Sequence, residues 1–477
     1  MKNFLPILIL ILSFGSINAQ SVNKLKKELL NSIEEKSDEL ITMSDNIWHA
    51  AEVAFREEKS AEYLINYAKQ NGFDVDSDLA GMPTAFTATY GEGSPVIGII
   101  GEFDALPGLS QTTAPYKNEL TEGGAGHGCG HNLFGTASLG AAVAIKELIE
   151  KGSLKGTVKY FGTPAEEKFF GKLWMIREGV FDNVDIVMDW HPADKTEANV
   201  QPSLALVDFM VEFTGQSSHA SVDPWNARSA SDALELYTHG INSYREHIKP
   251  SVRIHYHIQD AGQVVNVVPD YSRIWVRVRD ITRDGLVPVY EQVRKMAGGA
   301  SIMANVDHKI SLISGIHDLL PNRTGGAVMQ KNLETLGDIQ YSEEEIKFAL
   351  EMQENNGKPK IGIDGKIRPL RETLESPGGG STDVGDVSYN VPVVSLAATT
   401  APKGVPWHSW SVVASSGMSI GHKGMLHATK ALGMTMVDIF KDENLRKQIK
   451  KEFDERIGDY KYDPFLDPGP PPIDYVD

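Results

Sequence analysis

The sequence predicts an α/β protein: a mostly parallel sheet flanked by helices, with an inserted two-layer α+β module. Between residues 95 and 189, short apolar runs alternate with helical stretches, which is the pattern of right-handed crossovers between parallel strands. Between about 204 and 318, apolar residues instead occupy every second position, as in half-exposed antiparallel strands. With 477 residues, the chain is also too long for one compact core.

The first nineteen residues have the pattern of a secretory signal peptide. Lys2 supplies a positive start, an apolar run extends from Phe4 to Phe14, and a small residue, Ala19, marks the expected cleavage site. The alternative is a membrane anchor, but the run is shorter than the ~20 residues that span a bilayer. We therefore expect residues 1–19 to be removed and the mature protein to be periplasmic or secreted.

The first part of the predicted α/β domain covers residues 20–203. It opens with a helical pattern from Val22 to Tyr67, in which apolar residues recur every three to four positions. The strands that follow are predicted at Pro95–Gly101, Thr157–Phe161 and Val184–Asp189, with helices at Leu133–Lys151 and Phe170–Glu178.

Residues 204–318 form the predicted inserted module. Four alternating strands are expected around Ala205–Phe213, Val252–Ile258, Ile274–Val278 and Ile310–Leu312, with helices at Ala227–His247 and Leu286–Met296. Four strands and two helices predict a ferredoxin-like α+β arrangement. The α/β pattern returns over 319–462, with a strand at Val391–Leu396 and a long helix at Ser411–Phe440, and residues 463–477 form a Pro-rich tail.

Charge and cysteine content exclude two classes of protein. The net charge is −18, which argues against a nucleic-acid-binding protein because such proteins cluster Lys and Arg. The single cysteine, Cys129, excludes an intrachain disulfide.

A glycine-rich loop carries the most informative residues. The segment 123–132 presents His127, Cys129 and His131 at alternate positions, directly before a predicted helix. Thiolate and imidazole are ligands that suit Zn²⁺ or a similar divalent ion, and glycines let the backbone bend around it. The alternative is a tight turn whose histidines only cap the helix.

Acidic and histidine side chains also follow three successive strands of the predicted parallel sheet. Glu102 and Asp104 follow the first strand, Glu166 and Glu167 the second, and His191 the third. Taken singly, each has an ordinary alternative, such as a solvated helix N-terminus or a loop. Because open α/β sheets place their sites at the carboxyl ends of parallel strands, together they predict a metal cluster.

These motifs in combination resemble the dinuclear-metal amidohydrolases and peptidases related to carboxypeptidase G, aminoacylases and auxin-conjugate hydrolases. Within that family the chain is most similar to the p-aminobenzoyl-glutamate hydrolase subunit group. The resemblance covers about residues 25–440. The motifs that carry it are Phe103–Pro107, Gly128–Asn132, Pro164–Glu167, Ser218–Ala220, Asn266–Pro269 and His408–Trp410.

The resemblance implies a set of roles for individual residues. The expected metal ligands, for two divalent ions per chain (Zn²⁺ or Mn²⁺), are Cys129, His131, Glu167, His191 and His408. The expected general base is Glu166, and His127 is expected to lie behind the ligands. The inserted module is expected to act as a lid and dimerisation domain, whose His219 reaches the partner subunit's site and whose Asn266 and Arg279 hold a substrate carboxylate. Arg277 is an alternative to Arg279, and Asn132 stands where many relatives have Asp.

The resemblance therefore predicts an enzyme that hydrolyses the amide bond of an N-acyl or N-aroyl amino acid with metal-activated water. The expected assembly is a homodimer formed through the lid, with a possible second subunit. Two alternatives remain at this point: a dipeptidase of the same fold, and a binding subunit that keeps metal without catalysis.

Overall fold

The computed structural model describes residues 21–372 and 379–475, and its strands form two sheets. The strands of the larger sheet are β1 (Asp74–Ser77), β2 (Phe86–Glu92), β3 (Val96–Gly101), β4 (Gly156–Gly162), β5 (Ile186–Ala193), β6 (Glu197–Asn199) and β11 (Val393–Thr399). The strands of the smaller sheet are β7 (Ala205–Thr214), β8 (Arg253–Asp260), β9 (Tyr271–Asp280) and β10 (Asp307–Ile316).

Helices flank both sheets. They are α1 (21–35), α2 (Ser37–Ala50), α3 (Glu58–Gln70), α4 (His131–Glu150), α5 (Gly171–Arg177), α6 (Ala230–Tyr244), α7 (Arg283–Ala304), α8 (Arg323–Leu336), α9 (Glu343–Asn355), α10 (Val384–Ser388), α11 (Trp410–Ser416), α12 (Ser419–Lys441) and α13 (Glu443–Ile457).

The larger sheet has the order β1-β2-β4-β3-β5-β11-β6. Its four central strands, β4, β3, β5 and β11, run parallel, while β1, β2 and β6 pair antiparallel at the two edges. The central strands are almost fully buried, because helices cover both faces. The predicted α/β class is confirmed, and the parallel centre brings the ends of β3, β4 and β5 to one edge.

The smaller sheet is antiparallel, in the order β10-β7-β9-β8. Along β9, buried residues alternate with half-exposed ones, so that one face packs under α6 and α7. The opposite face carries Arg273, Trp275, Arg277 and Arg279. The predicted α+β arrangement, with four strands and two helices, is confirmed.

The helix predicted continuously over 22–67 is divided into α1, α2 and α3. Ala51 ends α2 in a left-handed conformation (φ 43°), and the chain does not become helical again until Glu58. The Glu52 carbonyl accepts a hydrogen bond from the Ala105 N–H at 2.7 Å, which ties this break to the loop after β3. The helical periodicity of the sequence is therefore correct before and after this break, but the tertiary contact interrupts the helix between Ala51 and Glu58.

The predicted helix over 411–440 is also divided, into α11 and α12, at Gly417. A Cβ at Gly417 would lie only 2.6 Å from Trp48 Cε2, so the chain passes directly against the indole ring. Trp48 Nε1 donates to the Val413 carbonyl at 2.8 Å and fixes this approach.

The predicted signal peptide, residues 1–19, lies outside the described residues. Within the described ranges, no helix combines the length and apolar character needed to cross a membrane. The Pro-rich tail is packed on the protein as far as Tyr475.

Candidate metal centre and active site

The sheet topology brings the predicted site residues to one edge. Glu102 follows β3 directly, Glu166 and Glu167 follow β4 after a short turn, and His191 lies near the end of β5. Because these three strands are parallel neighbours in the order β4-β3-β5, their carboxyl ends meet. His131 begins α4 beside them.

Local backbone geometry positions the Cys129 loop. Gly130 has a left-handed conformation (φ 78°) at the start of α4, where a Cβ would lie 3.0 Å from the Pro192 side chain. The loop that carries His408 is joined to the Cys129 loop, since the His408 N–H donates to the Gly128 carbonyl at 3.1 Å. His408 is itself left-handed (φ 53°), which turns its ring toward the cluster.

The structure brings all five predicted ligands together. The predicted ligands form two groups, and within each group the ligand atoms all lie within 4.8 Å of one another. One group is Cys129, His131 and His191, and the other is Cys129, Glu167 and His408. The Cys129 Sγ is shared by both and lies 3.5 Å from His191 Nε2. Two adjacent groups with a common thiol have the arrangement needed for a pair of cations.

A third group lies beside these two, formed by Glu102, His131 and Glu166. Glu102 Oε2 is 3.2 Å from His131 Nε2. The strand-end pattern counted Glu102 among the potential ligands, although the family resemblance gave it no ligand role, and the structure brings its carboxylate into the cluster.

Hydrogen bonds set the histidine rings. His131 Nδ1 lies 2.8 Å from Asp104 Oδ1, and His191 Nδ1 donates to the Pro192 carbonyl at 2.7 Å. In both residues the bond at Nδ1 leaves Nε2 directed at the cluster, which is the arrangement that orients histidine ligands.

Several buried polar atoms of the cluster have no hydrogen-bond partner among the described residues. They are Glu167 Oε1, and Glu102 Oε2 and His131 Nε2, which lie 3.2 Å from each other in a geometry that does not form a hydrogen bond. An unsatisfied buried polar atom costs ~1–3 kcal/mol. Divalent cations bound between these atoms would satisfy them, so the side chains present fit a metal centre.

The electrostatics of the cluster are those of crowded buried acids. Burial, together with Glu102 and Glu167, raises the pKa of Glu166 well above its usual range. Burial, opposed by the His131 charge and reinforced by Asp104 and Glu102, raises the pKa of Glu167 to about 7. Burial also raises the pKa of the Cys129 thiol, with a further contribution from Glu167. Such a site favours the binding of a cation.

Two functional neighbours escaped the sequence analysis, Lys172 and Asp383. The fully buried Lys172 Nζ donates to Glu102 Oε1 and to Asp383 Oδ1, each at 2.6 Å. The available signal was a lone lysine at the start of an otherwise apolar helical segment. Its ammonium is the internal counter-charge of the acidic cluster.

The structure gives His127 and Asn132 supporting positions behind the cluster. His127 is buried, with Nε2 3.1 Å from the Ile47 carbonyl oxygen, and it is absent from the three groups of ligand atoms. Asn132 Nδ2 donates to Ser44 Oγ at 3.0 Å and to the Ser416 carbonyl at 3.2 Å. His127 ties the loop before α4 to α2, and Asn132 ties α4 to α2 and α11.

The structure does not bring His219, Asn266 and Arg279 together within one chain. His219 and Asn266 are exposed on adjoining loops, where the Ala220 N–H donates to the Asn266 carbonyl at 3.1 Å. Asn266 lies just before Tyr271, the first residue of β9, whereas Arg279 lies near the other end of that strand. At the usual rise of a β-strand, the eight positions from Tyr271 to Arg279 span ~27 Å.

The two arginines considered for substrate binding differ in their contacts. Arg277 is engaged, since its Nε lies 2.8 Å and its Nη2 2.6 Å from the Asp208 carboxylate oxygens. Arg279 Nε has no hydrogen-bond partner among the described residues. The available guanidinium is therefore that of Arg279.

A cavity of about 680 Å³ lies between the open face of the smaller sheet and the edge that holds the cluster. Glu167 and Phe169 form part of one wall, and Trp275 and Arg273 part of the other. Among the cluster residues, Glu167 borders this mixed apolar and cationic cleft.

Comparisons with known proteins identify the family of this chain. The model of the peptidase family M20/M25/M40 matches residues 98–394. A subunit of the p-aminobenzoyl-glutamate hydrolase of Escherichia coli is 36% identical over 455 residues, covering 88% of this chain and 93% of that protein. The Xaa-Arg dipeptidase of mouse is 27% identical over 92% of this chain and 94% of its own length.

Among solved structures, a dinuclear metal binding peptidase of the M20 family from Bacillus subtilis has the same fold. The TM-score is 0.58 at 18% identity, and the match covers 85% of this chain and 99% of that one. With the family model matching more than half of the chain and a relative above 30% identity along most of it, the protein belongs to peptidase family M20/M25/M40 and is a metal-dependent amidohydrolase.

Proposed function

We propose that this protein hydrolyses the amide bond of N-acyl or N-aroyl amino acids of the aminobenzoyl-glutamate type. The observation that carries the proposal is the position of Glu166, whose carboxylate lies within 4.8 Å of ligand atoms of Glu102 and His131, at the edge of the two groups that share Cys129. The 36% identical relative named as an aminobenzoyl-glutamate hydrolase supports the substrate class.

The ligands in this proposal are Cys129, His131, Glu167, His191 and His408, holding two divalent ions, Zn²⁺ or Mn²⁺. Bound there, the ions supply Lewis acidity toward the amide carbonyl and the attacking water. Glu166 takes the proton of that water and passes it to the leaving amine.

The amino-acid half of the substrate carries a free carboxylate, for which Arg279 and Asn266 are the proposed partners. Arg279 supplies a guanidinium whose Nε is unpaired among the described residues. A planar guanidinium binds a carboxylate through two parallel hydrogen bonds. Since Asn266 lies at the other end of β9, the two residues serve one substrate only if they come from different subunits.

We propose a homodimer formed through the smaller sheet and its loops. His219 and Asn266 lie on loops that expose large apolar side chains, with Trp225 77% and Val265 98% exposed. Exposed apolar groups of this kind mark interaction surfaces. In the dimer, His219 donates a hydrogen bond to the oxyanion that develops in the partner's site, a contribution of ~3 kcal/mol.

A dipeptidase is the second candidate, because the mouse Xaa-Arg dipeptidase is similar over 92% of this chain. Such an enzyme needs an acidic group for the free α-amino group of its substrate. Among the described residues that line the cleft, the acids are Glu167 and Asp208, and Asp208 is already paired with Arg277. The N-acyl substrate, which has no α-ammonium, fits this lining better.

The test is a hydrolysis screen of aminobenzoyl-glutamate, N-acyl amino acids and dipeptides, with metal analysis of the same samples. The variant Glu166→Gln should lose activity by at least about a hundredfold while its metal content stays near that of the unmodified enzyme. The matched control is Glu62→Gln, on the exposed face of α3. Full activity of Glu166→Gln would reject the general-base role. Inactivity of the metal-loaded wild type on every substrate would favour a binding subunit.

A mixing experiment tests the shared site. Subunits carrying His219→Ala and subunits carrying Glu166→Gln are each expected to be inactive as homodimers. After exchange, hybrids contain one site with intact Glu166 and a partner's intact His219, so activity should return. No recovery in verified hybrids would place His219 in its own chain's site.

Two further proposals concern context. The Escherichia coli relative is named as one subunit of its hydrolase, which supports a second, different subunit here. The segment 1–19 supports secretion or a periplasmic location, and N-terminal sequencing of the exported protein should begin after Ala19.

A further inference from the structure

The C-terminal tail crosses both halves of the molecule. On the smaller sheet, the Arg283 guanidinium lies 3.0 Å from the centroid of the Phe465 ring, and Asp467 Oδ2 accepts from the Leu312 N–H at 3.2 Å. On the larger half, the Gly469 carbonyl accepts from Arg177 Nη1 at 2.9 Å. These contacts fix the direction of the chain before it reaches its end.

The tail then ends in the cleft beside the metal cluster. Pro472, Ile473 and Tyr475 line the cavity on the same wall as Glu167 and Phe169. The Tyr475 ring meets the Phe169 ring edge to face, with centroids 5.2 Å apart. Phe169 in turn stacks on Phe55 at 5.0 Å, so three aromatic rings form a continuous row.

This aromatic row has a free face. Tyr475 is 47% exposed although its neighbours in the row, Phe55 and Phe169, are each 5% exposed. Lys168 Nζ lies 4.0 Å from the Tyr475 centroid, which holds the ring from one side. The Trp275 indole stands in the other wall of the cleft, held by its Nε1–H donating to Asp208 Oδ1 at 3.1 Å.

We infer that the C-terminal tail builds the acyl-group subsite, in which Tyr475 packs against the ring of an aromatic acyl substrate. The inference rests on the proposed amide hydrolysis and goes beyond it by placing the acyl group against the C-terminal tail. The cavity begins at Glu167, and neither Asn266 nor Arg279, the proposed partners of the amino-acid half, lines it. The space is therefore left for the acyl half, and aromatic walls favour aromatic rings.

The experiment compares kcat/KM for N-benzoylglutamate with that for N-acetylglutamate. The benzoyl-to-acetyl ratio should fall about fivefold or more in Tyr475→Ala, because the ring contact and the buried apolar area are lost. Tyr475→Phe, which keeps the ring, should restore the ratio. Tyr63→Ala is the matched control, since Tyr63 is exposed on α3 and does not line the cleft.

A direct binding measurement separates this inference from the proposed function. The dissociation constant of benzoate, measured by calorimetry, should rise about fivefold or more in Tyr475→Ala, whether or not the enzyme turns over amides. Weaker benzoate binding with an inactive wild type would reject the proposed hydrolysis and keep the subsite. An unchanged ratio and an unchanged benzoate constant in Tyr475→Ala would overturn the subsite. A chain ended after Gly469 should reproduce the Tyr475→Ala result if it stays folded by circular dichroism.

Discussion

The Glu57 carboxylate accepts a hydrogen bond from the Ala165 backbone N–H, with 2.9 Å between Oε1 and the nitrogen. Ala165 is in the left-handed region (φ 61°) and directly precedes Glu166. The other Glu57 oxygen accepts from Thr84 Oγ1 at 3.1 Å. A residue just before α3 thus sets the backbone turn that presents the proposed general base.

This buried acid predicts a pH dependence of stability. Burial, and then the Asp104 charge, raise the pKa of Glu57 to about 8 from a usual value of 4.5. Because the folded pKa is the higher one, the stabilising contribution is complete below the unfolded pKa and is lost as the pH rises toward 8. The metal-free protein should lose up to ~1.4 kcal/mol per pH unit from this group between pH 5 and 8.

The variant Glu57→Gln should flatten that slope, because its side chain keeps the acceptor for Ala165 and cannot ionise. The measurement is urea unfolding of metal-free protein at pH 5, 6, 7 and 8, with Glu62→Gln as the exposed control. A slope identical to that of the wild type would show that Glu57 does not titrate in this range.

Lys172 provides a second prediction. It is fully buried between Glu102 and Asp383, and these two carboxylates raise its pKa against the effect of burial. Lys172→Met should lower the free energy of unfolding by ~3–5 kcal/mol, since removing one partner leaves buried charge uncompensated. Lys27→Met, on the exposed face of α1, should change it by less than ~0.5 kcal/mol. Equal effects of the two substitutions on the free energy of unfolding would show that Lys172 is not the counter-charge of the acidic cluster.

The sequence predicted the fold class because its two periodicities are local and unambiguous. Continuous apolar runs indicated the buried parallel strands, and strict alternation indicated the antiparallel sheet. The half-exposure expected from the alternation is found along β9, but it is wrong for β7 (Ala205–Thr214), which is buried on both faces over most of its length. The two long helices were overextended because the breaks at Ala51 and Gly417 are set by distant contacts, with Ala105 and Trp48. No local pattern encodes those contacts.

The candidate site was predictable where strand ends carry unusual side chains. Cys129, His131, Glu167 and His191 are brought together as the strand ends and the glycine-rich loop indicated, and His408, whose ligand role came from the family resemblance, joins them. Lys172 and Glu57 were not predicted, because a lysine or glutamate in a helical segment is ordinarily exposed and burial depends on the tertiary fold.

Metal binding should release protons. Burial raises the pKa of Cys129. Burial lowers the pKa of His131, but the charges of Glu102 and Asp104 and the hydrogen bond to Asp104 outweigh it and raise that pKa well above its usual range. Both groups therefore hold protons in the metal-free protein at pH 7 and must lose them to act as ligands. Calorimetric titration of Zn²⁺ in buffers of different ionisation enthalpy measures the number released. Cys129→Ala at saturating metal should release about one proton fewer, and an unchanged number would remove the thiol from the ligand set.

Two glycines give opposite predictions for the same substitution. A Cβ at Gly101, the last residue of β3 and the neighbour of Glu102, would lie 2.1 Å from the hydroxyl oxygen of Tyr160, whose O–H donates to the Gly135 carbonyl. Gly101→Ala must displace that ring and should lower the free energy of unfolding by ~1–3 kcal/mol. Gly299 lies within α7, where a Cβ would have no other atom within 4 Å, so Gly299→Ala should raise it by ~0.5–1 kcal/mol. Denaturant unfolding of both variants measures the difference, and shifts of the same sign would contradict the close approach of Tyr160 to β3.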